Sequence, residues 1–176
     1  SRIDEIRLEL KAEALKNVDN LTVVTLCRWM YDLSKASKLF GRFRHEIIPN
    51  SLDVDTFGPS DQRVVRENLG LPIDKNIILF VASYLGHKRK GFQHLVAALK
   101  ILRKRVPTND VSLAVVGSGN LSALPEGFET IELGRITEES KMAEIYAAVD
   151  MFVIPSEQDN LPNTVLESLS TGTPVT

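Results

Sequence analysis

The sequence predicts an α/β fold built on a doubly wound parallel sheet, and three observations carry that expectation. From residue 76 onward, short runs of strand length alternate with stretches of helical periodicity. These runs, such as Asn76–Ala82 (NIILFVA) and Val111–Val116 (VSLAVV), are apolar almost throughout rather than every second residue, the pattern of strands covered on both faces. Finally, no apolar run approaches the roughly 18 residues that a membrane-crossing helix needs.

Taken in order, residues 3–16 place Ile3, Ile6, Leu10 and Ala14 at spacings of three and four with charges between them, which predicts an amphipathic helix. Leu21–Leu26 (LTVVTL) is a β-branched run and reads as a buried strand. Trp29–Phe40 reads as a helix, and His45–Ile48 as a second short strand stopped by Pro49-Asn50. Residues 50–60 are rich in Asn, Asp, Ser, Gly and Pro and read as a connection between domains. Then follow strand Asn76–Ala82 and helix Phe92–Leu102, with Leu95, Leu99 and Leu102 on one face. Strand Val111–Val116 runs into Gly117-Ser118-Gly119, and strand Thr130–Leu133 runs into Gly134. Thr137–Ala148 reads as a helix with Thr137 as its N-cap, Met151–Ile154 as a strand, and Asn163–Ser170 as a helix stopped by Gly172. Val175 opens a further strand.

Composition narrows the class. The 176 residues are 43% hydrophobic and 25% charged, ordinary for a globular protein, and suggest one domain or one and a fraction. A net charge of −2 argues against a nucleic-acid-binding protein. The single cysteine, Cys27, excludes an intrachain disulfide and a cysteine-rich zinc site, and no spacing suggests a metal or a cofactor. The opening residues lack the basic-then-apolar pattern of a secretory signal. The chain has no initiator Met and stops on the first residues of a strand, so it is expected to be a piece of a longer protein.

In open α/β sheets, ligands bind outside the carboxyl ends of the strands. The loops after Ala82, Val116, Leu133 and Ile154 are therefore where chemistry is expected. The first, Ser83–Gly91, holds Lys88, Arg89 and Lys90 just before a helix start, where unpaired N–H groups and the helix dipole favour an anion such as a diphosphate; a solvated basic turn is the plainer alternative. Gly117 and Gly119 allow a ligand close to the backbone. A dinucleotide fingerprint would need a third glycine opening a helix, and Asn120-Leu121-Ser122 stands there instead. The loop from Pro155 leads through Asp159, Asn160, Leu161 and Pro162 into the last helix, for which either Asn163 or Leu161 can serve as N-cap. Glu167, one turn in, can accept hydrogen bonds from two adjacent hydroxyls, as on a ribose, or simply complement the positive end of the helix.

These residues resemble the retaining GT-B glycosyltransferases of family 4. Asp159 and Glu167 keep that family's seven-residue gap between two acids, with Pro155-Ser156 before them and Gly172-Thr173-Pro174-Val175 after. Ile48-Pro49-Asn50-Ser51-Leu52-Asp53 with Phe57 is similar to the family's interdomain segment. Lys90-Gly91, Gly117-Ser118-Gly119 and Leu133-Gly134-Arg135-Ile136 fall in register, so five ordered motifs cover residues 48–175. The resemblance implies the C-terminal, Rossmann-like half of a GT-B enzyme, truncated. Residues 1–49 would be the tail of the acceptor-side N-terminal domain and the start of the linker, and residues 50–176 the donor-binding domain, incomplete at its C-terminus.

It also implies roles. Glu167 binds the donor ribose, Asp159 faces the transferred sugar, and backbone N–H groups across Leu161, Asn163 and Thr164 meet the diphosphate. Lys90, with Arg89, neutralises the leaving nucleoside diphosphate, and Gly134, Arg135 and Ile136 frame the base. Asp159 and Lys90 are thus the expected catalytic pair. Three positions depart from the family: Asp159 replaces the usual Glu, Asn160-Leu161-Pro162 replaces Gly-Phe-Gly, and Leu85 stands where the family has Arg. The implied reaction is retaining transfer of a hexose from a nucleoside diphosphate sugar to a glycan or lipid-linked acceptor. The Asp-Asn-Leu-Pro-Asn and Arg-Lys-Gly patterns resemble the subset serving bacterial capsule, exopolysaccharide or lipopolysaccharide synthesis. The expected location is cytoplasmic, peripheral at the inner membrane face in the full-length protein, and the piece alone is expected to be inactive without its N-terminal domain. A binding-only degenerate transferase domain and a nucleotide-sugar 2-epimerase of the same fold are the alternatives.

Overall fold

A computed structural model describes residues 2–176. The chain divides into two compact units, residues 1–51 and 52–176.

In the first unit, helix α1 (Arg2–Leu15) leads to β1 (Thr22–Thr25), α2 (Arg28–Lys35) and β2 (Arg44–Ile47). The two strands are parallel, with Thr22 opposite Arg44. Helix α1 forms where periodicity places it, but it buries no residue: Ile3, Ile6 and Leu10 are exposed, so the expected apolar face is uncovered. Helix α2 stops at Lys35, five residues short of the expected Phe40. The hydroxyl of Ser37 accepts from the N–H groups of Leu39 and Phe40 and so offers the backbone a turn in place of a further helical turn. His45 is buried and held at both ring nitrogens, by the Phe43 carbonyl at 2.9 Å and the Ser34 hydroxyl at 3.0 Å.

The second unit is an α/β layer structure. It runs α3 (Gln62–Leu69), β3 (Asn76–Tyr84), α4 (Phe92–Leu102), β4 (Val111–Ser118), β5 (Glu129–Gly134), α5 (Glu139–Ala148), β6 (Met151–Val153) and α6 (Asn163–Ser170). The strands form one sheet in the order β5-β4-β3-β6, and every neighbouring pair is parallel. The expected strand at Val175 is a single bridge to Phe152, extended by hydrogen bonds from Phe152 to Pro174 and from Ile154 to Thr176.

The unbroken apolar runs are explained by burial on both faces. On one face Ile77, Leu79, Ala114, Val116 and Phe152 pack with Val65 of α3 and Ile145 and Tyr146 of α5. On the other, Phe80, Ala82, Leu113 and Val115 pack with Leu95, Val96 and Leu99 of α4. The doubly wound sheet expected from the sequence is therefore the observed one.

Residues of the resembling interdomain segment anchor the start of this unit. Asp53 accepts from the Thr56 hydroxyl at 2.8 Å and from the backbone of Asp55 and Thr56, and this turn sets Phe57 into the core. Helix α3 was not expected. Asp61 caps its first turn through the N–H groups of Arg63 and Val64, and Gly70, at φ 66°, ends it. Its Arg66 is 5% exposed and satisfied by the carbonyls of Ala148 and Lys75 and by Asp150 at 2.7 Å. No described helix is long and apolar enough to cross a membrane.

Candidate functional site

The carboxyl ends of β3 and β4 and the following loops meet as the parallel topology requires. The loop after β3 makes a 3-10 turn, Lys88–Lys90, and reaches α4 through Gly91 at φ 71°. That glycine is needed twice over: the left-handed backbone disfavours a side chain, and a Cβ there would strike the Pro155 carbonyl of the loop after β6. The two loops are joined. Glu157 N–H donates to the Arg89 carbonyl at 3.0 Å, and the Glu157 carboxylate meets Gln93 and His94 of α4, each at 3.0 Å. Gly117 lets β4 pass beside β3, since a Cβ would strike the Ala82 carbonyl.

Two groups of candidate residues result. One surrounds a cavity of about 300 Å³ at the strand ends, where Arg135, Ile136, Thr164 and Glu167 meet Ala82 and Tyr146. The other is an ion pair: Lys90 Nζ donates to Asp159 Oδ2 at 2.6 Å, with both side chains about three-quarters buried (27% and 22% exposed). Burial pushes the Asp159 carboxyl up. The hydrogen bond and charge of Lys90, the Asn160 N–H and the Arg89 charge outweigh it and hold the carboxyl below its ordinary value. Neither member of this pair lines the cavity, and neither do Arg89, Gly134, Leu161 or Asn163.

Several details differ from expectation. The position where the family has Arg, Leu85, is buried against α4 and takes no part in a polar site. Helix α6 begins at Asn163 with Pro162, extended at φ −70° and ψ 127°, in the N-cap position, so neither Asn163 nor Leu161 is the cap. The proline disfavours helical backbone at Leu161, and the Pro162 carbonyl accepts from Val165 N–H instead. Likewise α5 begins at Glu139, leaving Thr137 outside the helix; Glu138 holds the cap position without a side-chain hydrogen bond. Thr137 lines the cavity.

Tyr146 was not singled out from the sequence. It is fully buried, and its hydroxyl donates to Glu167 Oε2 at 3.2 Å. A buried tyrosine needs a partner for its polar tip, and Met142 and Tyr146, one turn apart on α5, face the same cavity; that spacing was the available signal. Burial, then the charge and hydrogen bond of Glu167, push the Tyr146 phenol far up, so it stays a neutral donor. Burial also pushes the Glu167 carboxyl up, the charge of Glu139 adds to this, and the Tyr146 hydrogen bond opposes it. The Ser156 hydroxyl is buried without a hydrogen-bond partner among the described residues. Among the described residues, no three His, Cys, Asp or Glu side chains converge as a metal would need.

Chemically, the arrangement offers a half-buried carboxylate steadied at one oxygen, suited to polar hydroxyls, and after the carboxyl end of β3 a cationic turn suited to phosphate. The family described as glycosyl transferases group 1 matches residues 75–176, more than half of this chain, and the chain belongs to it. A D-inositol 3-phosphate glycosyltransferase of Mycolicibacterium paratuberculosis is 31% identical over 144 residues, which are 75% of this chain and 31% of that protein. D-inositol 3-phosphate glycosyltransferase 2 of Catenulispora acidiphila is 28% identical over 158 residues, 82% of this chain and 37% of that protein. The chain thus spans about a third of the length of these curated relatives. Among solved structures, sucrose-phosphate synthase from Thermosynechococcus elongatus matches with a TM-score of 0.73 at 24% identity, over 97% of this chain and 43% of that one. HepE from Anabaena, solved in complex with UDP and glucose, matches with a TM-score of 0.66 at 16% identity, over 96% of this chain and 47% of that one. The likeness is one of fold: an α/β chain matching a little under half of GT-B glycosyltransferase structures.

Proposed function

We propose, on the premise that this chain is a group 1 glycosyl transferase, that it supplies the donor side of a retaining hexosyl transfer from a nucleoside diphosphate sugar. The observation that carries this reading is the cavity at the carboxyl ends of β3 and β4, with Glu167 in its wall. In the reaction, the bond from the anomeric carbon to the diphosphate breaks. An acceptor hydroxyl oxygen bonds to that carbon on the face the diphosphate leaves, and the hydroxyl proton passes to the departing diphosphate oxygen. Glu167 holds the ribose hydroxyls, with Arg135 and Ile136 beside the base at the turn from Gly134. Lys90 and Arg89, with the backbone at the start of α6 from Leu161 through Asn163 and Thr164, take up the charge that develops on the leaving diphosphate. Charge placed in advance where it will develop is the largest single source of such stabilisation. Asp159 faces the sugar, and on this reading the ligand-free ion pair keeps both charges apart from solvent until the diphosphate draws Lys90 toward itself.

The acceptor is a glycan or a lipid-linked acceptor, in bacterial capsule, exopolysaccharide or lipopolysaccharide synthesis at the cytoplasmic side of the membrane. The support for that setting is the Asp159–Asn163 and Arg89–Gly91 pattern alone.

Calorimetry with UDP, GDP, ADP and inorganic pyrophosphate tests the donor site. Glu167→Ala is expected to weaken at least one ribonucleotide about tenfold and pyrophosphate little, whereas Lys90→Ala weakens both. If no nucleoside diphosphate binds, or Glu167→Ala changes none of the affinities, the reading fails. Nucleotide binding by a full-length protein that transfers no sugar would establish the binding-only alternative.

A further inference from the structure

We infer that the outer face and C-terminal end of α4 form a docking surface for an anionic lipid surface. The first observation is charge segregation. The chain carries a net charge of −2, yet residues 75–109 contain eight Lys and Arg and no Asp or Glu. Lys75 and Lys90 are paired with Glu129 and Asp159. Lys88, Lys100, Arg103, Lys104 and Arg105 are exposed, and no ion pair holds any of them among the described residues. Helix-end electrostatics favours a cation in the last turn of α4, which Lys100 satisfies, but it does not call for three more beyond Leu102.

The second observation is apolar surface among these cations. Ile101 is 55% exposed, flanked by Lys100 and, one turn on, Arg105. Beside it runs a groove of about 460 Å³ whose walls include Phe92, Val96, Ala97 and Ala123 together with Lys88 and Lys100. Residues 97, 100, 101 and 104 are neighbours at helical spacing, and the backbone keeps turning past α4, with Lys104 N–H bonded to the Ile101 carbonyl and Arg105 N–H to that of Leu102. A bilayer interface accepts both halves of this pattern, with head-group phosphates on the cations and acyl carbon against Ile101 and the groove. A nucleic-acid backbone would meet the cations and leave the apolar part unpartnered. Lys88 is shared with the cationic turn of the candidate site, but the rest of the surface leads away from it: α4 starts beside that site at Gly91 and runs about 16 Å toward the amino ends of the strands.

Co-sedimentation of the chain with phosphatidylglycerol–phosphatidylcholine vesicles tests this. Binding is expected to these vesicles, to fall away in high salt, and to be absent with phosphatidylcholine alone. Lys100→Glu with Lys104→Glu, on exposed positions where circular dichroism can verify folding, should lower it at least about tenfold. Ile101→Ser should lower it several-fold with no change in charge, while Lys11→Glu with Lys16→Glu, the same charge change in the other unit, should leave it intact. The inference is overturned if wild type does not bind, if the two charge-reversed proteins lose binding equally, or if Ile101→Ser is silent and duplex DNA binds as tightly as the vesicles.

Discussion

At Glu167 a stability cost and a binding role meet in one carboxylate. Its folded-state pKa is raised, by burial first and by Glu139 second. The ionised form therefore opposes folding at neutral pH, the opposition shrinks as pH falls through the raised value, and it is gone below the ordinary carboxyl range. Glu167→Gln, which can still accept from Tyr146, is expected to raise the ligand-free melting temperature at neutral pH, by the equivalent of up to about 1 kcal/mol. The gain should fade toward acid pH. A gain that persists unchanged at pH 4 would show that burial of the charge is not its source. The same substitution should weaken ribonucleotide binding. Tyr146→Phe removes the hydroxyl that fixes Oε2 without changing the packing volume, and a hydrogen bond to a charged group is worth about 1.5–3 kcal/mol. Its expected effect is a several-fold loss of ribonucleotide affinity with pyrophosphate affinity unchanged, which calorimetry resolves. Asp159 gives the opposite sign: Asp159→Asn releases Lys90 from its partner, so pyrophosphate should bind a few-fold more tightly, whereas a loss would mean that Asp159 positions Lys90 rather than competes for it.

Among the elements, α3 shows where sequence reading stops. Strands β3, β4 and β6 are legible because each is an apolar run of strand length ended by Gly, Pro or a charged loop, β5 because Ile131 and Leu133 alternate with polar residues ahead of Gly134, and Phe92–Leu102 is legible to the residue because Leu95 and Leu99 fall on one buried face. Helix α3 has only eight residues, and one of the two it buries is an arginine, so apolar periodicity cannot find it; only Asp61 and Gly70 mark its ends. The candidate positions can be read from motif spacing, but their pairings cannot, because Lys90–Asp159 joins residues 69 apart and Tyr146–Glu167 joins residues 21 apart. Arg66 repays its burial through long-range contacts of the same kind. It ties α3 to the end of α5 and to Asp150, and Asp150 also accepts from Ile77 N–H at 2.6 Å at the start of β3. Arg66→Ala leaves two carbonyls and the part-exposed Asp150 carboxylate without this partner, and leaving such groups unpaired costs about 1–3 kcal/mol. Chemical denaturation should show a loss of that order; a loss below about 1 kcal/mol would mean that water replaces the guanidinium. Gly91→Ala should also destabilise, and through the site, since a Cβ at Gly91 drives the loop after β3 away from Pro155.

At the scale of the whole molecule, every candidate residue of the donor site lies in the second unit, residues 52–176, and none in the first. The loops that carry them are exposed or half-buried turns, joined to one another by a few side-chain contacts, while the sheet beneath is packed on both faces. Such turns open locally at low free energy while the core opens only with global unfolding. A ligand bound to the folded form stabilises by about 2.7 kcal/mol at a hundred times its dissociation constant, and it slows exchange most where it closes local openings. Hydrogen exchange on the chain with saturating UDP, GDP or ADP should therefore show new protection at residues 83–91, 134–137 and 155–167. Residues 2–47 should exchange as they do without ligand, because none of the proposed contacts is theirs. Protection spread evenly over residues 2–47 as well would place nucleotide contacts in the first unit and remove the second unit from sole charge of the donor.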